Sequence, residues 1–306
     1  VVATGVRPDS RKENFHIIFS HSRLQLAAIQ CLFAGHFNWR FVMDNFVERE
    51  ITDRFKSGRQ DVHDLIAPLI ELTQKSSSLV VGYGAPQAGV RSEMIPYFHV
   101  CGTPTENEPL RVLVIGGWVG TEIVTPYAIA CLLVALESRL RLAAGIEITA
   151  YPVANLEAHR ETVFLTQTQQ IDGMRCWENS QCSHVRVLER ELERYAYDAI
   201  FLLRQNPRAL DADVEAWLAE EAQKIVLSDA LKRYASASPL FRWRANPVRP
   251  TYSRTFTPIP NWERQPAEII IGLPAALTPE QQAQESMALI LSLSHAMRQA
   301  HAEGVM

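Results

Sequence analysis

The turn Gly116–Glu122 (GGWVGTE) is where chemistry is first expected in this chain, and its one carboxylate is Glu122. The turn follows Arg111–Ile115, a short apolar run rich in β-branched residues, the pattern of a strand covered on both faces. Ligands in an open α/β sheet collect at the carboxyl ends of such strands. A second candidate is Leu240–Thr257, where Arg242, Arg244, Arg249 and Arg254 alternate with Phe241, Trp243, Tyr252 and Phe256, and no acidic residue intervenes. Guanidinium groups bind carboxylate or phosphate in pairs of hydrogen bonds. The competing reading is that these arginines pair with acidic side chains of neighbouring helices. A third is Cys176, Cys182 and His184, a C-x₅-C-x-H cluster, for which two free thiols beside a histidine are favoured over a metal site. The chain has no HExxH, no G-x-S-x-G and no G-x-G-x-x-G or GK[ST] loop, so the common hydrolase and nucleotide motifs are absent.

The elements that must position these groups alternate. Asp61–Leu72 has helical spacing through Val62, Leu65, Ile66, Leu69 and Leu72. Leu79–Gly82 and Glu93–Val100 are strands joined through the Gly84–Gly89 turn region. After Arg111–Ile115, Thr125-Pro126 reads as an N-cap and first-turn proline of a helix to Leu142. Glu147–Pro152, Asp198–Leu203 and Glu268–Ile271 are further apolar runs without alternation, and so interior strands. Ser183–Tyr195 reads as a charged helix, Asp211–Ala235 as largely helical and Leu240–Trp262 as irregular. Thr278 caps the last helix, with Gln281 at the capping-box position. The fold class expected is α/β, three layers with a central mixed, mostly parallel sheet flanked by helices. Residues 1–60 are an extension expected to pack on a main domain at 61–306.

Composition bounds the rest. The 306 residues are 47% hydrophobic, enough for a sizeable core. A net charge of −4 gives no general drive toward nucleic acid or anionic membrane, and neither is an expected partner. No apolar run reaches the ~18 residues that span a bilayer. Five widely spaced cysteines argue against a disulfide framework. The compartment is not fixed by these features, and cytoplasmic is favoured. The chain opens on Val1-Val2, which a cleaved leader or a trimmed terminus would equally explain.

Taken in order, these landmarks resemble the zinc carboxypeptidases. YGAPQAGVRSEMIPYFHV (83–100), with Gly84, Gly89 and Arg91, is similar to their G-x-S-x-x-G-R-x-I hairpin. VLVIGGWVGTE (112–122) resembles I-x-G-x-H-G-x-E, and AYPVANLEAHR (150–160) resembles P-x-x-N-P-D-G. IDGMRCW (171–177), YDAIFLLR (197–204) and AEIIIGLP (267–274) are similar to V-D-L-N-R-N-F, P-D-L-x-I-D-L-H and x-x-T-x-E-L-P. The resemblance covers about residues 60–300 and implies a phosphorylase/hydrolase-like three-layer fold. It also implies a zinc site of two histidines and a glutamate, and a glutamate that activates water.

Here the first histidine position is Val119, the second is Arg204 and the water-activating glutamate is Gly272; Glu122 keeps its place. Valine cannot ligate zinc, and a guanidinium is permanently cationic and would repel it. The resemblance therefore implies an ion pair of Glu122 with Arg204 in place of the metal. Arg175 stands at the arginine of D-L-N-R, after Met174. Arg160 falls where some members polarise the scissile carbonyl, and Tyr252 near the family's mobile tyrosine. The favoured function is a carboxypeptidase-like domain without metal-dependent catalysis or cofactor, whose cleft takes an anionic ligand such as a peptide C terminus or small carboxylate. The alternatives are an active zinc metallocarboxypeptidase or amidohydrolase with a shifted metal site, and a structural or assembly domain.

Overall fold

A computed structural model describes residues 62–85, 94–161, 183–206, 212–218, 220–237, 243–250 and 265–305. The chain divides into two units, Val1–Phe41 and Val42–Met306. The first, and with it the 1–60 extension expected from sequence, lies outside the described residues.

The described elements run α1 (Val62–Lys75), β1 (Leu79–Gly84), β2 (Ile95–Cys101), β3 (Leu110–Ile115), α2 (Val124–Ser138), a 3₁₀ turn (Leu140–Ala143), β4 (Ile146–Tyr151), α3 (Leu156–Glu161), α4 (Ser183–Arg194), β5 (Ala199–Asn206), β6 (Ala212–Trp217), α5 (Glu221–Ala237), β7 (Trp243–Pro250), β8 (Ala267–Pro274) and α6 (Pro279–Ala302). The strands form one eight-stranded mixed sheet in the order β1-β2-β4-β3-β5-β8-β6-β7. The four apolar runs expected to be interior are its contiguous centre, β4-β3-β5-β8, and all three of their pairings are parallel. Val112, Leu113, Val114 and Ile115 of β3 are fully buried. Each contributes roughly 1.5–3 kcal/mol of transfer free energy. Burial on both faces is why these strands read as continuous runs rather than alternating ones.

Helices α2 and α6 pack against each other, and α5 and α1 pack on them in turn. Thr278 caps α6 as expected: its hydroxyl accepts the Gln281 N–H at 3.3 Å and the Gln281 side chain accepts the Thr278 N–H at 3.0 Å.

Four expectations are corrected. Thr125 is not an N-cap. Helix α2 starts two residues earlier, after Ile123, which makes no side-chain cap, and Thr125 Oγ1 instead accepts the Gly117 N–H at 2.9 Å. Helix α2 ends at Ser138 rather than Leu142. The Ser138 hydroxyl bonds back to the carbonyls of Val134 and Ala135, and the chain tightens into the 3₁₀ turn. Last, Asp211–Ala235 is not one helix and Leu240–Trp262 is not wholly irregular, because β6 and β7 lie within them. The ADVEAW segment favours helix by local propensity, but the ladder with β8, from Asp213↔Gly272 to Trp217↔Glu268, overrides it. Strand β7 contains Pro247 and Pro250, which lack the N–H of a central strand, and it sits at the sheet edge, where proline is tolerated.

Candidate functional site

The turn at the end of β3 is held from three sides. Gly116 N–H donates to Tyr151 O, and Ala154 and Asn155 N–H donate to the carbonyls of Gly116 and Gly117. Asn155 Nδ2 donates to Trp118 O at 3.2 Å, while its Oδ1 accepts the Ala158 N–H in the first turn of α3. Gly117 has φ +58°, and a Cβ there would stand 2.7 Å from Val153 Cα, so the turn requires glycine on both counts. Glu122 N–H then bonds Val119 O at 2.9 Å, which turns the Glu122 side chain inward, where only 8% of the residue is exposed.

Two further strands complete the site. Gln205, next to Arg204 at the end of β5, donates its N–H to Glu122 Oε1 at 3.1 Å. Arg204 is in register with Gly272 of β8, and Gly272 in turn with Asp213 of β6. Val119, Glu122, Arg204 and Gly272 are therefore brought to one end of three adjacent parallel strands. Val119 is half-buried and presents only methyl groups.

The ion pair expected between Glu122 and Arg204 is not the one found. Arg204 Nη2 pairs with Asp213 Oδ2 at 3.3 Å and with Glu215 Oε1 at 2.9 Å, both on β6. The reason is steric. Gly272 has no side chain, so the guanidinium reaches across β8 to the next strand. A Cβ added at Gly272 would overlap Asp213 Oδ1, so the aspartate fills the space beside the glycine. Gly272→Ala should therefore cost about 2 kcal/mol, the usual size of an overpacked core site, and equilibrium unfolding in urea checks it.

Among the described residues Glu122 has one hydrogen bond, and its Oε2 has none. Burial pushes its carboxyl up to about 8, against the opposing pull of the Gln205 N–H and of the Arg204 charge. It is thus largely protonated at neutral pH. Two buried histidines back the turn. His184 of α4 meets the Trp118 ring edge-on at 5.0 Å. His159 of α3 lies beside Gly117. Burial lowers each to about 4, so both are neutral.

Arg160 is exposed on α3. Arg175, Tyr252, Cys176 and Cys182 lie outside the described residues, as do the side chains of Arg244 and Arg249 on β7. Asp213 and Glu215 are the site residues that sequence reasoning missed. Their signal was the two-residue spacing D-x-E, which places both on one face of a strand but was read as part of a helix. Among the described residues, no group of three or more His, Cys, Asp or Glu side chains is placed to hold a metal ion.

No family model matches the sequence, and no curated protein matches it. Solved structures do match. A metallo-carboxypeptidase from Burkholderia cenocepacia superposes with a TM-score of 0.62 at 14% identity, covering 76% of this chain and 68% of that one. Thrombin activatable fibrinolysis inhibitor gives 0.60 at 8% identity over 83% and 80%. A metallo-carboxypeptidase from Pseudomonas aeruginosa, in complex with (2-guanidinoethylmercapto)succinic acid, gives 0.53 at 12% identity over 79% and 69%. The chain has a carboxypeptidase-like α/β fold. At these identities the likeness is one of fold.

Proposed function

We propose that this chain is a carboxypeptidase-fold binding domain without metal-dependent peptidase activity, and that its cleft takes a peptide C terminus or another small carboxylate. The observation that supports the first part is the Arg204–Asp213–Glu215 cluster. A zinc hydrolase needs three protein ligands and an open position for water. Val119 offers no donor atom, Arg204 offers a cation already engaged by two carboxylates, and Glu122 holds a proton at neutral pH. Gly272 has no group to take a proton from water, and the carboxylate beside it is tied to Arg204. Zinc does not fit this donor set.

The second part rests on other arginines. Arg204 cannot attract an anion strongly, because Asp213 and Glu215 balance its charge. The cations proposed to do so are Arg160, Arg175 and the arginines of Leu240–Thr257.

Elemental analysis of protein purified without chelator tests the first part. The expected result is zinc far below one per chain and no chelator-sensitive hydrolysis of a C-terminal-residue substrate. Stoichiometric zinc with such hydrolysis would refute it and favour an active enzyme with a shifted site. Writing the ligands back as Val119→His and Arg204→His should recover part of the metal affinity, read by zinc titration. Turnover should remain negligible, because Gly272→Glu is also needed and meets Asp213 in its space. The second part is tested by titrating peptide carboxylates and their amides against wild type and Arg175→Ala. Preference for the acid that the variant loses supports it. Equal affinity for both forms, or no binding, favours a structural or assembly role.

A further inference from the structure

The opposite end of the sheet carries a cavity of about 490 Å³, lined by none of the residues of the site above. It lies toward the amino ends of β3 and β5, between one sheet face and the segment that leads from α4 into β5. The face is built by cross-strand register. Gly82 of β1 pairs with Tyr97 of β2, and His99 of β2 pairs with Thr149 of β4. A Cβ at Gly82 would collide with the Tyr97 ring, so that ring lies flat over the glycine and forms one wall. Glu191 and Tyr197 supply the floor, and Arg194 and Tyr195 the rim.

Which polar groups are already satisfied decides what the cavity can hold. His99 is engaged at both nitrogens, by Thr149 Oγ1 at 3.1 Å and Cys101 Sγ at 3.2 Å. Glu147 pairs with Arg111 at 3.5 Å. Glu191, buried, accepts the Tyr197 hydroxyl at 2.6 Å. The Glu147 charge is thus balanced by Arg111, whereas Glu191 keeps its charge beneath the Tyr197 hydroxyl, one helical turn from Arg194. Three groups have no hydrogen-bond or ion-pair partner among the described residues: the hydroxyls of Tyr97 and Tyr195, and the Arg194 guanidinium. Arg194 stands 5.3 Å above the centre of the Tyr195 ring. Burial and the nearby Glu191 charge push the Tyr97 hydroxyl upward, so it remains a hydrogen-bond donor. The free groups therefore all carry an N–H or O–H that can donate, and the surfaces between them are aromatic. A cavity of this size with aromatic walls and a few convergent polar groups is the usual form of a small-molecule site.

We propose that this cavity binds a small aryl carboxylate, ring inward against Tyr97 and Tyr197 and carboxylate outward at Arg194. The buried Glu191 charge fixes that orientation, because it repels an anion from the floor. Arg194 at the rim completes the site with charge-assisted hydrogen bonds.

The test uses the full chain and ligand-observed NMR titration with 4-hydroxyphenylacetate, its amide and tyramine. Wild type should prefer the acid to the amide by about fivefold and bind tyramine no better than the amide, the size expected of one rim-exposed charged contact. Arg194→Gln should abolish the acid preference and leave amide affinity within about twofold, since the ring contacts remain. Tyr195→Ala should weaken acid and amide together through lost ring contact. Both side chains are exposed, so neither change touches the core, and unchanged circular dichroism verifies folding. Equal affinity for acid and amide in wild type, a preference that survives Arg194→Gln, or no binding at about 10 mM ligand would each overturn the proposal. None of these outcomes bears on zinc content or hydrolysis at the carboxyl-end site.

Discussion

Replacing Arg204 by methionine is expected to destabilise the domain by about 2–4 kcal/mol. Removing one partner of a buried ion pair costs about 3–5 kcal/mol, because the other charge is stranded away from water. Asp213 is the stranded group here. Its side chain is 6% exposed, and its Oδ1 already lacks a partner. The cost is discounted because Arg204 is 29% and Glu215 21% exposed, so solvent screens part of the interaction. For a domain of this size the loss corresponds to a fall of roughly 5–15 °C in Tm. The decisive comparison is the triple variant Arg204→Met, Asp213→Asn, Glu215→Gln, which removes all three charges and should recover much of the stability. Denaturant unfolding at neutral pH gives both values. A loss below about 0.5 kcal/mol in the single variant would mean the cluster behaves as a solvated surface pair. The reading of Arg204 as a cation held firmly by Asp213 and Glu215 would then fail. The result also bears on the write-back experiment, since Arg204→His removes the same cation and inherits part of the same penalty.

How far the sequence could be read depended on whether the signal was local. The capping box at Thr278 and Gln281 is a four-residue pattern, and it formed as written. The central strands were legible because burial on both faces leaves runs such as Val112–Ile115 with no polar residue to confuse them. Strand β6 was not legible. Ala212, Glu215 and Ala216 suit a helix, and the β8 and β7 ladders that hold them extended are set by residues far along the chain. That miss concealed the site chemistry as well. With Asp213 and Glu215 assigned to a helix, the partner expected for Arg204 was the one the resemblance implied, Glu122, and that pairing was the wrong one. Thr125 failed for a similar reason: its hydroxyl had a choice between capping its own helix and closing the Gly117 turn, and no local rule ranks those. Gly272 was read as a missing base. In the structure its missing side chain is also what lets the ion pair cross the strand.

The pH dependence of stability should carry the signature of Glu122. Its carboxyl sits at about 8 in the folded protein, against an ordinary 4.5. Between those values the folded state keeps a proton that the unfolded state has released. Stability must therefore fall as pH rises through that window, by up to about 1.4 kcal/mol per pH unit, and flatten on either side. This is the reverse of a salt-bridged carboxylate, which loses stability on acidification. In Glu122→Gln the slope from this group disappears. The amide oxygen can still accept the Gln205 N–H, whereas the amide nitrogen is placed where Oε2 had no partner. The variant should accordingly be equal to wild type or weaker by about 1 kcal/mol near pH 5, for the unsatisfied donor. It should be more stable by roughly 2–4 kcal/mol at pH 9, where wild type must bury a charge. Urea unfolding of both proteins from pH 5 to pH 9 measures the difference directly. Parallel curves would mean that Glu122 is ionised across the range. Its burial would then be compensated by a contact stronger than the Gln205 N–H, and a carboxylate ready to bind a cation would return to consideration. A converging and crossing pair of curves would instead support a neutral Glu122 that must lose a proton before it can meet any metal, which makes metal binding there costly at neutral pH.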